Sequence, residues 1–281
     1  MTHYRPRPAL VGLGKAAVST VQALTWRVRG RTSERGLRVL YWHRIAASRD
    51  QLAVHPSRFR REMELIHESG QRVVDLYALS KEWLDTDHNT LALTFDDGYH
   101  DFVDEVLPEL QRRQWPATVF VVPGAIAGRV RFPWYRPEAH PRLLRWNEMR
   151  DVERTGLVRF EPHTLSHPYL PDETDESVWR EIAGSKAAVE DALGRPSRLF
   201  CYPGGFYTAR EVEMVERAGF AAAFGCEYGA NRRPWDRYRL RRTIADKYDS
   251  ELVFAARLTG GTDRAPLGRG TRNLGDEEGA A

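Results

Sequence analysis

Two carboxylates stand side by side in the stretch LTFDDGY, where Asp96 and Asp97 end an apolar run. Like charges at this separation repel each other, and burying them without partners costs free energy. A cation nearby would offset that cost. The pair therefore predicts either a cation site or an ordinary turn, since Asp and Gly are also common where strands end.

A second group of side chains with ligand chemistry is the histidine pair of HTLSHP, His163 and His167. A spacing of four residues places both imidazoles on one face of a helical turn, where both can reach one metal ion. Two histidines at this spacing also occur by chance, so the pair alone leaves the metal interpretation open. Two histidines and one carboxylate, with open positions for water and substrate, suit a hydrolytic zinc ion or a similar divalent ion.

Apolar runs and helical patterns alternate from Arg38 onward. The predicted strands are residues 37–43, 71–76, 90–95, 116–122, 158–163, 197–203 and 221–226. The predicted helices are residues 56–70, 100–114, 146–156, 175–194 and 209–219. This alternation, at intervals of roughly 30 residues, predicts an α/β fold with a parallel sheet. Because the strands are continuously apolar, both of their faces should be covered, which favours a barrel.

The candidate chemical groups share one position relative to these strands. His43, Asp96, His163 and the turn YPGG each directly follow an apolar run. The active sites of parallel α/β folds form at the carboxyl ends of the strands. We therefore expect these residues to meet at one end of the sheet.

Composition limits the class of protein. The 281 residues are 42% hydrophobic and carry 42 basic against 39 acidic side chains, a net charge of +3. These values predict one large globular domain and argue against nucleic acid as the main partner. The two cysteines, Cys201 and Cys226, lie in apolar surroundings and are predicted to be buried and reduced.

The chain termini differ from the rest in composition. Residues 1–36 form a basic segment, and the first 44 residues hold nine Lys or Arg against one Glu. This charge predicts either peripheral contact with a membrane or a surface-packed terminal helix. The apolar stretch of residues 9–26 is interrupted by Lys15, so we expect neither a transmembrane helix nor a signal peptide. These features favour a location in the cytoplasm or at the inner face of the membrane, with a catalytic domain at 37–259 and a disordered tail at 260–281. The oligomeric state is open.

Four segments bring a known family into view. In order and spacing, LTFDDGYHDF, ATVFVV, HTLSHP and FCYPGGFY resemble the polysaccharide deacetylase family of metal-dependent carbohydrate esterases. Weaker likenesses extend the resemblance from about Leu37 to about Leu258. It implies a distorted (β/α) barrel with seven or eight parallel strands. It also implies hydrolysis of the N-acetyl amide of a sugar in a polysaccharide or glycoconjugate.

The resemblance assigns roles to the paired residues. It implies that Asp96 is the general base and that Asp97 is a metal ligand, together with His163 and His167. The implied cofactor is a divalent metal ion, Zn²⁺ first, with Co²⁺, Ni²⁺ or Mn²⁺ as alternatives. The implied partner is an N-acetylated saccharide.

The turn YPGG corresponds to the family's third motif. The resemblance implies that Tyr202, Pro203 and Gly204 bind the substrate and the oxyanion, with the Gly204 N–H as the donor. A glycine here also leaves room for the substrate to approach.

Two departures from the family pattern require substitutes. Cys201 stands where many members carry an arginine that orients the base, and Arg242 is either its replacement or a surface residue. No histidine follows His167, so the proton donor to the leaving amine must come from elsewhere or be water. His43 is the candidate, because it resembles an early Tyr-His motif of the branch that deacetylates poly-N-acetylglucosamine. The alternative for His43 is a hydrogen-bonding residue at the rim of the barrel.

Two other functions are consistent with the same fold. One is an amidase acting on a small imide, a ureide or a lipid-linked sugar. The other is a carbohydrate-binding protein without catalysis, which would have no need for all four of Asp96, Asp97, His163 and His167.

Overall fold

The computed structural model describes residues 36–82, 90–234 and 236–263. The basic N-terminal segment up to residue 35 and the tail from residue 264 lie outside this range, so the expectations for them stay predictions. The folded chain continues past the predicted boundary at residue 259. Thr262 is fully buried, and Asp263 accepts two hydrogen bonds from the Arg38 guanidinium. None of the described helices is both long and apolar enough to cross a membrane.

The described strands pair with one another in parallel only. They are β1 Leu37–Trp42, β2 Arg44–Ile45, β3 Ala53–Val54, β4 Arg72–Val73, β5 Thr90–Asp97, β6 Ala117–Val121, β7 Val158–Pro162, β8 Leu199–Cys201, β9 Ala222–Phe224 and β10 Thr243–Ile244. The main sheet has the order β10-β1-β5-β6-β7, with β4 beside the start of β5. Strands β8 and β9 form a separate pair. The parallel α/β prediction is confirmed, and the barrel is not closed by a continuous ladder of backbone hydrogen bonds.

Side-chain hydrogen bonds connect β7 to β8, because no backbone ladder joins these two strands among the described residues. The buried Glu161 carboxylate on β7 accepts hydrogen bonds from the backbone N–H groups of Arg198 (2.7 Å) and Leu199 (2.8 Å). At the other end of the gap, His163 Nδ1 lies 2.7 Å from the carbonyl oxygen of Cys201. These contacts satisfy buried backbone groups that a strand partner would otherwise bind. We call this side-chain junction the β7–β8 gap.

The helices cover the outside of the strands. They are α1 Pro56–Glu68, α2 Leu76–Glu82, α3 Leu107–Arg113, α4 Pro123–Ile126, α5 Trp146–Glu153, α6 Asp175–Leu193, α7 Ala209–Arg217 and α8 Glu251–Thr259. The long helix α6 begins where the Thr174 side chain accepts a hydrogen bond from Ser177 N, and it ends at Gly194, where φ is 69°. The prediction for residues 100–114 is corrected at its start, because Phe102–Val106 is a π-helix that precedes α3. The predicted strand at 71–76 is reduced to β4 because α2 begins at Leu76.

Alternation along β5 decides which side chains enter the barrel. Leu91, Leu93 and Phe95 pack outward against the helices, whereas Ala92 packs in the interior. Both faces of the strand are therefore covered, which explains its continuous apolar sequence. Asp96 lies in the same inward row as Ala92, at the carboxyl end of the strand.

A buried acid lies on helix α1, in the outer layer of the fold. Glu62 on α1 is 2% exposed and accepts a 2.9 Å hydrogen bond from Trp42 Nε1, while its other oxygen has no partner among the described residues. Burial raises the pKa of Glu62 to about 8. Because this pKa exceeds that of an unfolded glutamate, the folded state is favoured at low pH, and stability is lost as pH rises toward 8.

Replacing Glu62 by glutamine is therefore expected to flatten the pH dependence of stability. Urea unfolding between pH 5 and pH 9 should show the wild type losing roughly 2–4 kcal/mol, and E62Q losing clearly less. E64Q is the control, because Glu64 lies on the same helix but is exposed. Parallel curves for the wild type and E62Q would contradict the assignment of the buried acid.

Candidate metal centre and active site

Asp97 ends β5 with an unpaired carboxylate. Its backbone φ is 72° and Gly98 follows with a φ of 74°, so the strand turns sharply at this point. The side chain is 1% exposed, and neither oxygen has a hydrogen-bond partner in the described chain. Burial and the charge of Asp96 raise the pKa of Asp97 well above its usual range. A buried carboxylate without partners is costly, which indicates that a cation belongs beside it.

Two histidines converge on this carboxylate. One ligand atom from each of Asp97, His163 and His167 lies within 4.8 Å of the other two. His167 Nε2 is 3.9 Å from Asp97 Oδ1, and the two imidazole centroids are 4.9 Å apart. Two imidazole nitrogens and one carboxylate oxygen are a donor set that binds Zn²⁺ and similar divalent ions. The residues present therefore fit a divalent metal ion.

The two histidines meet in a loop. The helical turn predicted from their spacing is therefore wrong. His163 follows β7 directly, and both Thr164 (φ 63°) and His167 (φ 59°) adopt left-handed backbone conformations. His167 N donates a 3.0 Å hydrogen bond to Thr164 Oγ1, which holds the loop folded back. This reversal, and not helical periodicity, brings the rings together.

The hydrogen bond of His163 fixes which ring nitrogen can bind metal. A carbonyl oxygen can only accept, so His163 Nδ1 carries the proton that it donates to Cys201 O at 2.7 Å. Nε2 then carries the lone pair that can bind a metal ion, which is the usual arrangement for a metal-binding histidine. Burial lowers the pKa of His163 to about 4, which keeps the ring neutral and able to bind a cation.

Asp96 has a different environment from its neighbour. Arg242, fully buried, binds it through two hydrogen bonds of 2.7 and 2.9 Å. Burial alone would raise the pKa of Asp96, but the Arg242 guanidinium holds it below its usual range. Arg242 is thus a buried residue and not a surface residue. Its Nη2 atom also lies 2.9 Å from Cys201 Sγ. The two adjacent carboxylates are therefore distinct, because one is paired with a cation of the protein and the other is not.

A second group of possible ligands shares His163 but is less suited to a metal. Asp96, His163 and Cys201 also lie close together. Both oxygens of Asp96 bind Arg242, and burial raises the pKa of the Cys201 thiol well above its usual range, away from the thiolate that binds metals. The set built on Asp97 is the better metal centre.

Two of the residues predicted to contact substrate, Gly204 and Tyr202, lie in different surroundings. Gly204 lies in the turn after β8 with a φ of 61°, and a Cβ there would come within 3.0 Å of the Phe206 ring. The amides of Gly205 and Phe206 donate within the turn, to Tyr202 O and Pro203 O. The Tyr202 side chain is an exception that corrects the prediction. It is fully buried in the outer aromatic cluster, because it points to the opposite face of the strand from Cys201.

His43 lies just past β1 on the same side as Asp96. Burial lowers its pKa, the charge of Asp96 raises it, and that of Arg242 lowers it again. These interactions bring His43 into the electrostatic environment of the predicted base. Its role as proton donor stays a prediction.

The family of the chain follows from sequence comparison. A family model described as polysaccharide deacetylase matches residues 84–223, a stretch that holds both aspartates and both histidines of the site. This stretch of the chain belongs to the polysaccharide deacetylase family. The predicted resemblance is confirmed.

Similar proteins extend the match beyond that stretch. The chain is 24% identical over 223 residues to the protein YxkH of Bacillus subtilis, covering 78% of this chain and 75% of the other. It is 26% identical over 239 residues to the poly-beta-1,6-N-acetyl-D-glucosamine N-deacetylase of Escherichia coli, covering 69% of this chain and 34% of that one. The chain thus spans about a third of the length of the E. coli enzyme.

Among solved structures, IcaB from Ammonifex degensii has the same fold. The TM-score is 0.67 at 22% sequence identity, over 82% of this chain and all of the IcaB chain. Most of this chain therefore shares the fold of IcaB.

Sequence reasoning gave no role to several aromatic residues at the centre. The Trp134 ring lies 5.1 Å from that of His167, and the buried Tyr99 hydroxyl lies near Asp97. A loop aromatic can either line a sugar-binding groove or cover the core, so the residue type of Trp134 predicts neither role. Tyr99 had no signal apart from its position two residues after Asp97. Trp146 packs against the core.

Proposed function

We propose that this polysaccharide deacetylase family member is a metal-dependent hydrolase that removes N-acetyl groups from N-acetylated sugars of a polysaccharide or glycoconjugate. One observation carries the proposal. The unpaired Asp97 converges with two neutral histidines directly beside Asp96, which Arg242 keeps ionised. A ligand set with an adjacent base is the arrangement that hydrolysis of an amide by activated water requires.

The residues divide the chemistry among themselves. Asp97, His163 and His167 hold the divalent ion, which when bound polarises the acyl group and supplies an activated water. Asp96 accepts the proton of the attacking water, since its low pKa keeps it ionised. The Gly204 N–H donates to the oxyanion of the tetrahedral intermediate. His43, in its protonated form, donates a proton to the leaving amine, because an amide anion is a very poor leaving group.

The metal and the sugar are the finer part of the proposal. Two imidazoles and a carboxylate favour Zn²⁺, and Co²⁺, Ni²⁺ and Mn²⁺ accept the same donors. The E. coli relative is named for poly-beta-1,6-N-acetyl-D-glucosamine, and we propose an N-acetylglucosamine-containing saccharide for this chain.

Removal of metal gives a direct test. Protein treated with a chelator is expected to release no acetate from chitooligosaccharides, poly-N-acetylglucosamine or lipid-linked N-acetylhexosamines, and added Zn²⁺ or Co²⁺ should restore release from at least one of them. D97N is the matched control, because it should stay inactive after metal is added back. Acetate release by metal-free protein would contradict the proposal.

The same assay separates the alternative functions. Full metal occupancy with no activity on any acetylated sugar would favour an amidase acting on a small imide or ureide. Sugar binding without any metal would favour a non-catalytic relative, but the pairing of Asp96 with Arg242 beside a ligand set gives a binding protein no advantage.

A further inference from the structure

The segment that carries both histidine ligands is held from several sides. We call residues 163–167 the histidine loop. Its first amide, His163 N, donates to Val121 O at 2.8 Å, and Leu165 O accepts from Gly124 N at 2.8 Å. These contacts fix the beginning and the middle of the loop to β6 and α4. Neither contact involves His167, at the end of the loop.

Helix α6 supplies that contact through one carboxylate. Glu181 accepts hydrogen bonds from Ser166 N (2.8 Å, to Oε2) and from Ser166 Oγ (2.6 Å, to Oε1). Ser166 is the residue immediately before His167. Both Glu181 oxygens thus bind a single residue, which fixes the backbone of Ser166 in position and orientation.

The burial of Glu181 makes this contact unusual for a glutamate. Its side chain is 7% exposed, and it forms no ion pair with Lys or Arg in the described part of the chain. A buried carboxylate without a cation is costly, and its two hydrogen bonds are of the strong, charge-assisted kind. The two hydrogen bonds offset this cost, and they hold Ser166 rigidly in place.

The surface of α6 next to Glu181 is also shaped to the loop. Gly184 lies one turn further along the helix, and a Cβ there would come within 2.7 Å of Leu165 Cδ1. The bare helix surface therefore lets Leu165 lie close to α6. Two adjacent loop residues, Leu165 and Ser166, thus rest on the same turn of one helix.

We propose that Glu181 is a positioning residue for the metal centre, which acts through Ser166 to set the place of the His167 imidazole. This inference rests on the proposed function, because it presupposes a metal bound by His167. Outer-shell groups that orient a ligand typically contribute 10–100-fold to metal affinity. Glu181 would act on the metal only indirectly, through Ser166 and the backbone of His167.

Metal titration of the Glu181 variants tests this role. E181A removes both hydrogen bonds and is expected to weaken Co²⁺ affinity by about 10–100-fold, measured by visible absorption against a competing chelator. E181Q should recover most of that loss, because a glutamine can accept from Ser166 N and donate to Ser166 Oγ. S166A removes one of the two bonds and should give an intermediate loss, which keeps the test decisive if E181A fails to fold.

A matched control exists on the same helix. Glu190 of α6 also binds a backbone amide, Ser197 N at 2.8 Å, but on the side away from the histidine loop. E190A should lower the free energy of unfolding of the metal-free protein without changing Co²⁺ affinity. Co²⁺ affinities of E181A and S166A within twofold of the wild type would overturn the positioning role alone. Failure of the wild type to bind Co²⁺ would instead overturn the proposed function together with this inference.

Discussion

The D96N variant is expected to lose at least about a hundredfold in acetate release while it keeps its metal affinity within a few-fold of the wild type. An amide cannot take the proton of the attacking water, so the base is lost. The ligands Asp97, His163 and His167 are untouched, so the metal centre is retained. Acetate release and Co²⁺ titration on the same preparation measure the two properties separately.

The neighbouring aspartate supplies the comparison for this prediction. D97N should lose both metal and activity, because Asp97 is the ligand of the pair. D96N and D97N change the same group at adjacent positions, so a difference in metal affinity between them isolates the two roles. Undiminished acetate release by D96N would remove Asp96 as the base.

The R242M variant is expected to have the largest effect on stability. Asp96 and Arg242 form a buried ion pair with side chains 3% and 0% exposed, and removal of one partner leaves an uncompensated buried charge. Such a loss typically costs about 3–5 kcal/mol of the free energy of unfolding. Urea unfolding at neutral pH would measure it. The double variant D96N/R242M should regain part of that free energy, because no unpaired charge remains.

The same variant should also change the pH dependence of activity. Burial would raise the pKa of Asp96, but Arg242 holds it low. The carboxylate therefore stays ionised until the pH falls below the usual pKa of an aspartate. Without Arg242 burial dominates and the pKa rises, so the acidic limb of the acetate-release profile should move to higher pH.

A second buried pair provides the control for both effects. Asp249 and Arg257 form a similar two-bond pair that does not include Asp96, with side chains 2% and 4% exposed. R257M should therefore destabilise the protein to a similar degree without moving the acidic limb. An identical pH profile for R242M and R257M would contradict the role of Arg242 in holding Asp96 ionised.

The parts of the structure that were predictable depend on local patterns. Apolar runs and three- to four-residue periodicity located most strands and helices, because both follow from neighbouring residues. The candidate ligands Asp97, His163 and His167 were predictable for a similar reason, since Asp97 and His163 stand at the ends of apolar runs and His167 shares a short motif with His163. Their geometry was not, because the left-handed conformations of Thr164 and His167 depend on contacts with β6, α4 and α6.

Long-range contacts account for what sequence reasoning could not decide. Arg242 is 146 residues from Asp96 and reaches it only when the sheet curves back, and the two-residue strand β10 that follows it has no readable apolar pattern. Glu62 interrupts the apolar face of α1 beside Met63, and no local rule predicts that Trp42 would bind it. The position of Tyr202 in the turn motif does not determine the direction of its side chain, so the sequence could not show that this side chain is buried in the outer cluster.

The β7–β8 gap has a consequence for how this enzyme fold can change. The proposed metal ligands lie on the β5 and β7 side of the gap, whereas Gly204 follows β8 on the other side. The distance between the proposed ligands and Gly204 is therefore set by side chains, those of Glu161 and His163, and not by a backbone register. A register can shift only in whole residues, but the contact made by Glu161, which is not a proposed ligand, can be changed by one substitution. The distance between the two sides of the gap can thus evolve gradually, without rearrangement of the sheet.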